Sequence, residues 1–368
     1  MRLKELDLHV TNRCNLKCKI CCYSSNEKIL YEMTTEQIIK IISEAKSLGC
    51  EELHISGGEP LLRDDILDIC EYAINENIEV RIQTNGTFLD AELALKLRSI
   101  GLRQIMISLD GSHKGIMDSI RGVDSFDNAV KGIQYSIKAG LDTRVNTVIT
   151  QNNKNNILEI IKLAINMGVS KFSCFYFSPI GRGKNNMDLW LNPDEYIEFW
   201  NDISDKIGRI NIKNMDIIVE KAYATNQEAE KINTNKFTGC GGGCSHMLEK
   251  RDYLIIRCDG YVFPCILMID FEALGNVTTN SVEVIWKDSP KWNILKRPVS
   301  LCDDCKYISV CNAGCAGYAF IMEQKINIVD PRCKRGDIIP LCPIMKYNFL
   351  TGKLGGSSVD VMTNQHEK

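Results

Sequence analysis

Leu6-Asp7-Leu8-His9-Val10-Thr11-Asn12-Arg13-Cys14-Asn15-Leu16-Lys17-Cys18-Lys19-Ile20-Cys21 is the stretch on which both fold and chemistry turn. Its start, Leu6 to Val10, reads as an apolar strand, and three cysteines follow at once in C-x3-C-x2-C spacing. Thiolates are the soft ligands that iron-sulfur clusters select, and a cubane normally takes four of them. A compact group of three can hold three corners and leave the last iron to an exogenous ligand, where chemistry can happen. The same cysteines are open to a zinc knuckle or to plain buried thiols. Zinc sites, however, close a tetrahedron from paired C-x2-C or Cys/His sets, and only Cys22 offers a start toward a second pair nearby.

Outward from this stretch, residues 3 to about 180 alternate short apolar strands with amphipathic helical segments, the pattern of βα units with parallel strands. Strands are predicted near Glu5 to Val10, Glu52 to Ser56, Glu79 to Gln83, Gln104 to Ser108, Asp142 to Val148 and Lys171 to Phe177. The helices between them run approximately Thr35 to Leu48, Asp64 to Asn75, Asp90 to Ser99, Phe126 to Ala139 and Asn156 to Asn166. Thr34-Thr35-Glu36-Gln37 is a capping signal, and Gly49, Gly101, Gly140 and Gly168 mark helix ends. Right-handed crossovers wind such units into an α/β fold, an open (β/α)6 partial TIM barrel. Ligands in parallel α/β folds bind beyond the carboxyl ends of the strands. The polar clusters Gly57-Gly58-Glu59-Pro60, Thr84-Asn85-Gly86 and Ser108-Leu109-Asp110-Gly111 all fall there, as the cysteines do, so they converge on one mouth.

The chain has 368 residues and a net charge of -3, which gives no basic footprint for nucleic acid and no polybasic patch for a membrane. The first residues, Met1 to Glu5, enter structure without a signal-peptide core, and no run approaches the ~18 apolar residues of a membrane span. A cytoplasmic, soluble protein is expected. Its 17 cysteines, an odd number in a reducing compartment, need an explanation other than disulfides. Four lie in Cys14 to Cys22, Cys50, Cys70 and Cys174 are scattered, and ten crowd between Cys240 and Cys342. Two metal-bearing regions on a metal-free scaffold are implied. The expected division is a barrel over 1–180, a bridging helical segment over 181–239, a small cysteine-rich α+β domain over 240–350 and a flexible tail over 351–368.

The triplet, together with Gly57-Gly58-Glu59-Pro60 one βα unit later, resembles the radical S-adenosylmethionine (radical SAM) superfamily. The resemblance implies the same partial barrel and a catalytic 4Fe-4S cluster on Cys14, Cys18 and Cys21. In that family the open iron chelates the amino and carboxylate groups of S-adenosylmethionine. An electron from the reduced cluster then splits a carbon-sulfur bond, and the 5'-deoxyadenosyl radical abstracts hydrogen from the substrate. It further implies that Gly57, Gly58 and Glu59 receive the cofactor's amino group, that Ser108 and Asp110 face its ribose and methionine portions, and that Arg121 binds its carboxylate. Asn85 and Asn146, at strand ends, are placed either to hydrogen-bond the nucleoside or to satisfy turn and core. Ile20 departs from the aromatic residue usual before the third cysteine.

The second cysteine region reads Cys240-x3-Cys244, Cys258-x6-Cys265, Cys302-x2-Cys305-x5-Cys311-x3-Cys315 and then Cys333, and it resembles the SPASM domain of radical SAM enzymes. By that resemblance Cys302, Cys305, Cys311 and Cys333 bind one auxiliary 4Fe-4S cluster, and Cys240, Cys244, Cys265 and Cys315 bind the other. C-x2-C-x5-C-x3-C is by itself equally compatible with a zinc ribbon. Cys258 departs from the pattern, so the choice among Cys240, Cys244 and Cys258 stays open, and Cys342 is unassigned.

SPASM enzymes of this layout mostly modify peptides or proteins, which is the favoured substrate class. A small molecule in cofactor or modified-haem biosynthesis is the alternative, and a non-catalytic iron-sulfur or zinc protein is a third. Reduced flavodoxin or ferredoxin is the implied electron donor. Strand one begins at once, so no peptide-recognition winged helix is expected before it, and Ile266 stands where sulfatase maturases carry an acid, which argues against formylglycine formation. Cys174, near the end of strand six, is either a hydrogen-atom donor in the mouth or a small core residue.

Overall fold

The computed structural model describes residues 2–26, 31–210, 212, 215–230, 251–295, 302, 304–307, 311, 313–334, 337–341, 346–349 and 353–355. Cys240, Cys244 and Cys342 lie outside these residues, as do the tail beyond 355 and part of the bridging segment.

Six βα units build the first half. The strands are β1 (Glu5–His9), β2 (Glu52–Ser56), β3 (Glu79–Thr84), β4 (Gln104–Ser108), β5 (Asp142–Ile149) and β6 (Lys171–Tyr176). Neighbours pair in parallel, in sequence order from β1 to β6. The helices are α1 (Thr35–Ser47), α2 (Ile66–Asn75), α3 (Ala91–Ser99), α4 (Lys114–Arg121), α5 (Ser125–Lys138) and α6 (Ile157–Met167). Helix α1 shows why they form. Ile38, Ile41, Ile42 and Ala45 recur at helical spacing and are buried, while Thr34 and Gln37 close a reciprocal capping box at its start. Thr34→Ala is expected to cost about 1 kcal/mol in equilibrium unfolding, the usual worth of such a cap.

Strand alternation separates two faces. Leu8, Ile55, Ile82 and Ile105 stand in one lateral row and pack on the helices. Asp7, His54, Arg81 and Gln104 form the matching row on the inner face, and Ser108, Asn146 and Ser173 form a row nearer the mouth. The inner face is open to solvent even at its centre, because Gln83 on β3 is exposed and Met106 on β4 is half-buried.

The bridging segment holds more than the expected helix. Besides α7 (Pro193–Gly208) it contributes β7 (Asp216–Glu220), parallel to β6, and β8 (Tyr223–Thr225), followed by the short α8 (Asn226–Ala229). Ile217-Ile218-Val219 is a continuous apolar run, the pattern of a strand covered on both sides rather than an alternating one. The cysteine-rich part extends the same sheet from the other side. Strand β9 (Tyr253–Ile256) pairs in parallel with β1, and β10 (Tyr261–Phe263) and β11 (Gly275–Asn276) continue outward antiparallel. Helices α9 (Val282–Asp288) and α10 (Ala316–Glu323) follow, then β12 (Ile338–Pro340) on β8, and β13 (Lys346–Asn348) with β14 (Lys353–Gly355) beyond β7. The sheet thus runs β11-β10-β9-β1-β2-β3-β4-β5-β6-β7-β13-β14 with free ends, an unclosed barrel. Among the described residues no helix is long and apolar enough to cross a membrane.

Candidate functional site

The loop after β1 carries Cys14, Cys18 and Cys21 at the carboxyl edge of the sheet. Asn26 ties it back on itself, accepting from the Cys14 amide at 2.8 Å and donating to the Leu16 carbonyl at 3.3 Å. Arg182, just beyond β6, clamps the other side, donating from its guanidinium to the Cys18 carbonyl at 3.0 Å and from its amide to the Cys21 carbonyl at 2.9 Å. Gly181 precedes it at φ +52°, where an added Cβ would lie 2.2 Å from the Cys22 carbonyl oxygen.

Donors gather on the sulfurs. The Leu16 amide points at Cys14 Sγ (3.4 Å), as does Asn85 Nδ2 (3.9 Å), the Ser25 amide at Cys21 Sγ (3.4 Å), and Arg121 Nη1 at Cys18 Sγ (3.9 Å). Burial pushes the Cys14 thiol up to about 11, the Leu16 amide opposing and Cys18, Glu59 and Cys21 adding to it. Burial raises Cys18 as well, against the pull of Arg121. Iron must therefore displace protons here, and the donors stabilise the thiolates that result. Among the described residues no three Cys, His, Asp or Glu side chains converge closely enough for a single metal ion. A cubane asks for something different, because each thiolate holds a separate iron and the sulfurs stand apart around it. Cys14, Cys18 and Cys21 lie within one another's fields on a single loop, a donor set of the kind a cubane takes.

The Gly57-Gly58-Glu59-Pro60 turn grips this loop. The Gly58 amide donates to the Thr11 carbonyl at 2.7 Å and the Glu59 amide to the Arg13 carbonyl at 2.8 Å. A Cβ on Gly58 would lie 2.3 Å from the Arg13 oxygen, and one on Gly57 would lie 2.9 Å from the Thr11 oxygen. The glycines are thus demanded by the approach of one backbone to another. The Glu59 side chain is already engaged. Its carboxylate is fully enclosed and accepts from Thr84 Oγ1 (2.6 Å), the Asn85 amide (2.7 Å) and the Leu61 amide (3.1 Å). Burial lifts it to about 7 against those three bonds. The side chain thus staples β2 to β3, and the Gly57 and Gly58 backbone before it is half-buried.

Across the mouth, Asp110 is fully buried, accepts from the Val148 amide at 2.7 Å and ion-pairs with Arg121 Nε. Burial works against the Arg121 charge, but Asp110, Cys18 and Cys21 outweigh it and hold the guanidinium cationic. Ser108 and Asn146 are register partners on β4 and β5, and among the described residues the buried Asn146 Oδ1 has no hydrogen-bond partner. A buried amide oxygen left unpaired costs roughly 1–3 kcal/mol unless a ligand reaches it. Asn85 is pinned by Asn15 Oδ1 at 2.9 Å and itself accepts from Thr87. Ile20, in place of an aromatic residue, packs with Ile120, Phe177 and Leu189 in an apolar group beside the three cysteines. Cys174 is not at the mouth. It shares a row with Thr147 and Val219 on the opposite face from Ser173 and Asn146, 1 % exposed in the apolar core.

In the second region, Cys311 is raised to about 11 by burial, an Ala313 amide bond opposing and Cys333, Cys305 and Cys302 adding, so these four neighbour one another. Cys265 and Cys315 lie on facing segments, where a Cβ on Gly317 would meet Leu267 Cβ at 2.5 Å and Cys315 Sγ at 3.5 Å. Cys258 is buried between β9 and β10 beside His9, and burial, Glu32 and Asp259 raise it to about 12.

The profile of the radical SAM superfamily matches residues 8–164, and that of an iron-sulfur cluster-binding domain, SPASM, matches residues 244–315. A probable GTP 3',8-cyclase of Sulfurisphaera tokodaii is 31% identical over 232 residues, 60% of this chain and 74% of that protein. The chain belongs to the radical SAM superfamily. Further radical SAM relatives span nearly all of it. The AdoMet-dependent heme synthase of Methanosarcina barkeri is 28% identical over 88% of this chain and 94% of its own length. The mycofactocin maturase MftC of Mycobacterium tuberculosis is 29% identical over 91% and 84%. In fold, the chain is similar to Streptococcus suis SuiB bound to S-adenosylmethionine, with TM-score 0.74 and 20% identity over 91% of this chain and 77% of SuiB. A radical SAM domain binds a 4Fe-4S cluster and S-adenosylmethionine, and a SPASM domain binds auxiliary iron-sulfur clusters.

Asn26 and Arg182 were invisible in the sequence. Asn26 follows the triplet too loosely to form a motif, and Arg182 reaches Cys18 across 164 residues.

Proposed function

We propose that the chain is a radical SAM maturase acting on a peptide or protein, with the cluster on Cys14, Cys18 and Cys21 and the cofactor between that loop and the ends of β2, β4 and β5. The observation that supports the site is the buried Asn146 Oδ1, without a hydrogen-bond partner among the described residues, in the row that Ser108 shares near the carboxyl edge of the sheet. When bound, the cluster and S-adenosylmethionine supply a 5'-deoxyadenosyl radical for hydrogen abstraction. The protein's own part is positioning. The Gly57-Gly58 backbone seats the cysteine loop, and Arg121, oriented by Asp110, offers a guanidinium for a carboxylate. The apolar group of Leu16, Ile20, Phe177 and Leu189 keeps water from the sulfurs.

Similarity to the mycofactocin maturase over 91% of the chain supports the peptide class, as does the fold shared with SuiB, also solved with its precursor peptide SuiA. A small-molecule substrate is the second reading, favoured by the heme synthase relative, matched over 94% of its length. The auxiliary clusters belong on Cys302, Cys305, Cys311 and Cys333, and on Cys265, Cys315 and two of Cys240, Cys244 and Cys258. Reduced flavodoxin or ferredoxin in the cytoplasm serves as electron source. The proposed domains divide near residues 180, 240 and 350.

Anaerobically reconstituted protein, given reductant and S-adenosylmethionine, is expected to form 5'-deoxyadenosine faster with a precursor peptide encoded beside it, whose mass changes in step. A response only to a porphyrin haem precursor assigns the second reading, and no cleavage at all overturns both. Asn146→Ala is expected to weaken S-adenosylmethionine binding about tenfold by equilibrium dialysis, roughly the loss of one buried hydrogen bond. Unchanged binding places the cofactor elsewhere.

A further inference from the structure

Behind the cysteine loop, the inner face of β1 carries Asp7, a carboxylate that the site described above does not use. It is half-buried rather than sealed. Ser56 Oγ, adjacent to the Gly57-Gly58 turn, donates to Asp7 Oδ1 at 2.8 Å, and the Tyr253 phenol on β9 donates to Oδ2 at 3.3 Å. Cys22, next to the third cysteine of the triplet, lies within the field of Asp7, and Tyr253 within that of Cys265 in the second cysteine region. Asp7 therefore stands between the two metal-bearing parts of the molecule, on the open inner face, with two hydroxyl donors fixing its orientation.

We propose that Asp7 is the catalytic acid-base residue of this chamber, exchanging a proton with an N–H, O–H or S–H group of the substrate held between the cysteine loop and Cys265. The inference rests on the enzymatic reading above, and it deepens that reading by asking for a substrate with a protic heteroatom next to the carbon that reacts. The step is a plain proton transfer. An O–H bond forms on an Asp7 oxygen as the heteroatom–H bond breaks, the electron pair stays on the heteroatom, and the proton later leaves to water through the open face. No oxidant is consumed in it.

The surroundings single out Asp7. Of the groups facing it, His9 is fully buried and pushed down to about 3 by burial and Arg257, so its ring is neutral and out of reach. It stacks on Tyr23 with ring centroids 4.0 Å apart. Tyr23, Tyr253 and the Cys22 thiol are all driven upward by burial and stay protonated. Glu5, on the same face of β1, is engaged by His54, which also contacts Arg81. Asp7 itself is raised to about 6, by burial first and Glu5 in addition, against the bonds from Ser56 and Tyr253. A carboxyl poised there both gives and takes protons near neutrality.

Two measurements on the reconstituted full chain test this. A water-soluble carbodiimide with glycine methyl ester, followed by peptide mapping, is expected to label Asp7, faster at pH 5 than at pH 7.5, because the protonated carboxyl is the reactive form. Labelling of surface carboxylates with Asp7 untouched would show it unreachable and end the proposal, whatever the substrate proves to be. With a substrate that turns over, Asp7→Asn is expected to lower product per 5'-deoxyadenosine about a hundredfold, the lower range for general acid-base catalysis. The wild-type limb of the pH profile near 6 should disappear with it, and Asp7→Glu should restore part of the coupling. Full coupling with an unaltered pH profile in Asp7→Asn would refute the role. Folding is checked in the same variant. Since the folded protein favours protonated Asp7, the wild type loses stability as pH rises through about 6, so Asp7→Asn should melt no lower than wild type at pH 7.5.

Discussion

Gly58→Ala is expected to leave a folded protein that lacks its first cluster, with iron falling from about twelve to about eight atoms per chain, one cubane's worth. The added methyl would stand 2.3 Å from the Arg13 carbonyl oxygen and 2.8 Å from that of Asn12. Both obstacles are backbone, in the segment leading directly to Cys14, so no side chain can swing aside. Relief requires the cysteine loop to lift off the β2 turn, which breaks the bonds from Gly58 N to Thr11 O and from Glu59 N to Arg13 O. Overpacking of this kind costs about 1–3 kcal/mol, less than the roughly 5–15 kcal/mol that hold a domain folded but enough to unseat one loop. Cleavage of S-adenosylmethionine should fall below detection while the melting temperature changes little. Gly208→Ala is the control, since nothing among the described residues lies within 4 Å of its added Cβ, and it should keep all its iron. Full iron and normal cleavage in Gly58→Ala would mean that the loop is not held by this turn.

That outcome turns on a detail the sequence reads only halfway. The position of the Gly-Gly pair after an apolar strand puts it at the carboxyl end of β2, beside the cysteine loop that follows β1. Why glycine is needed there is a matter of two backbones meeting, which spacing along one chain cannot reveal. Glu59 is similar. A carboxylate in a glycine turn looks free to meet an ammonium group, yet Thr84 and Asn85, from the next strand, enclose it. The six strands were legible because each is a short apolar run between a helix and a polar turn. Helix α4 was not, since Lys114–Arg121 is short and flanked by Gly111 and Gly122, and it reads as loop until Met117 and Ile120 are seen buried. The sequence does not distinguish which way a strand residue faces when both its neighbours are apolar or small. Cys174, between Ser173 and Phe175, was therefore open to two placements, and the register with Thr147 and Val219 puts it in the core.

Asp330→Ala should have the largest effect in the second region, with iron falling from about twelve to about four atoms as both auxiliary sites fail. Asp330 and Arg332 are almost completely buried, and the carboxylate accepts from Arg332 Nε at 3.0 Å and Nη2 at 2.7 Å. It also accepts from the Arg332 amide at 3.0 Å and the Cys315 amide at 2.9 Å. One side chain thus orders the backbone at Cys315 and at the residue before Cys333, each belonging to a different proposed ligand set. Arg332 lies 3.4 Å from the centre of the Tyr318 ring, so its charge has nowhere to go once Asp330 is removed. Breaking a buried pair from one side costs about 3–5 kcal/mol, because the remaining ion is stranded. Replacing both partners is often neutral, which separates the two consequences. Asp330→Ala with Arg332→Met should recover most of the melting temperature but not the iron, because the Cys315 amide still lacks its acceptor. If the double variant regained its iron along with its stability, the stranded charge alone would account for the loss, and Asp330 would have no part in shaping the cysteine loops.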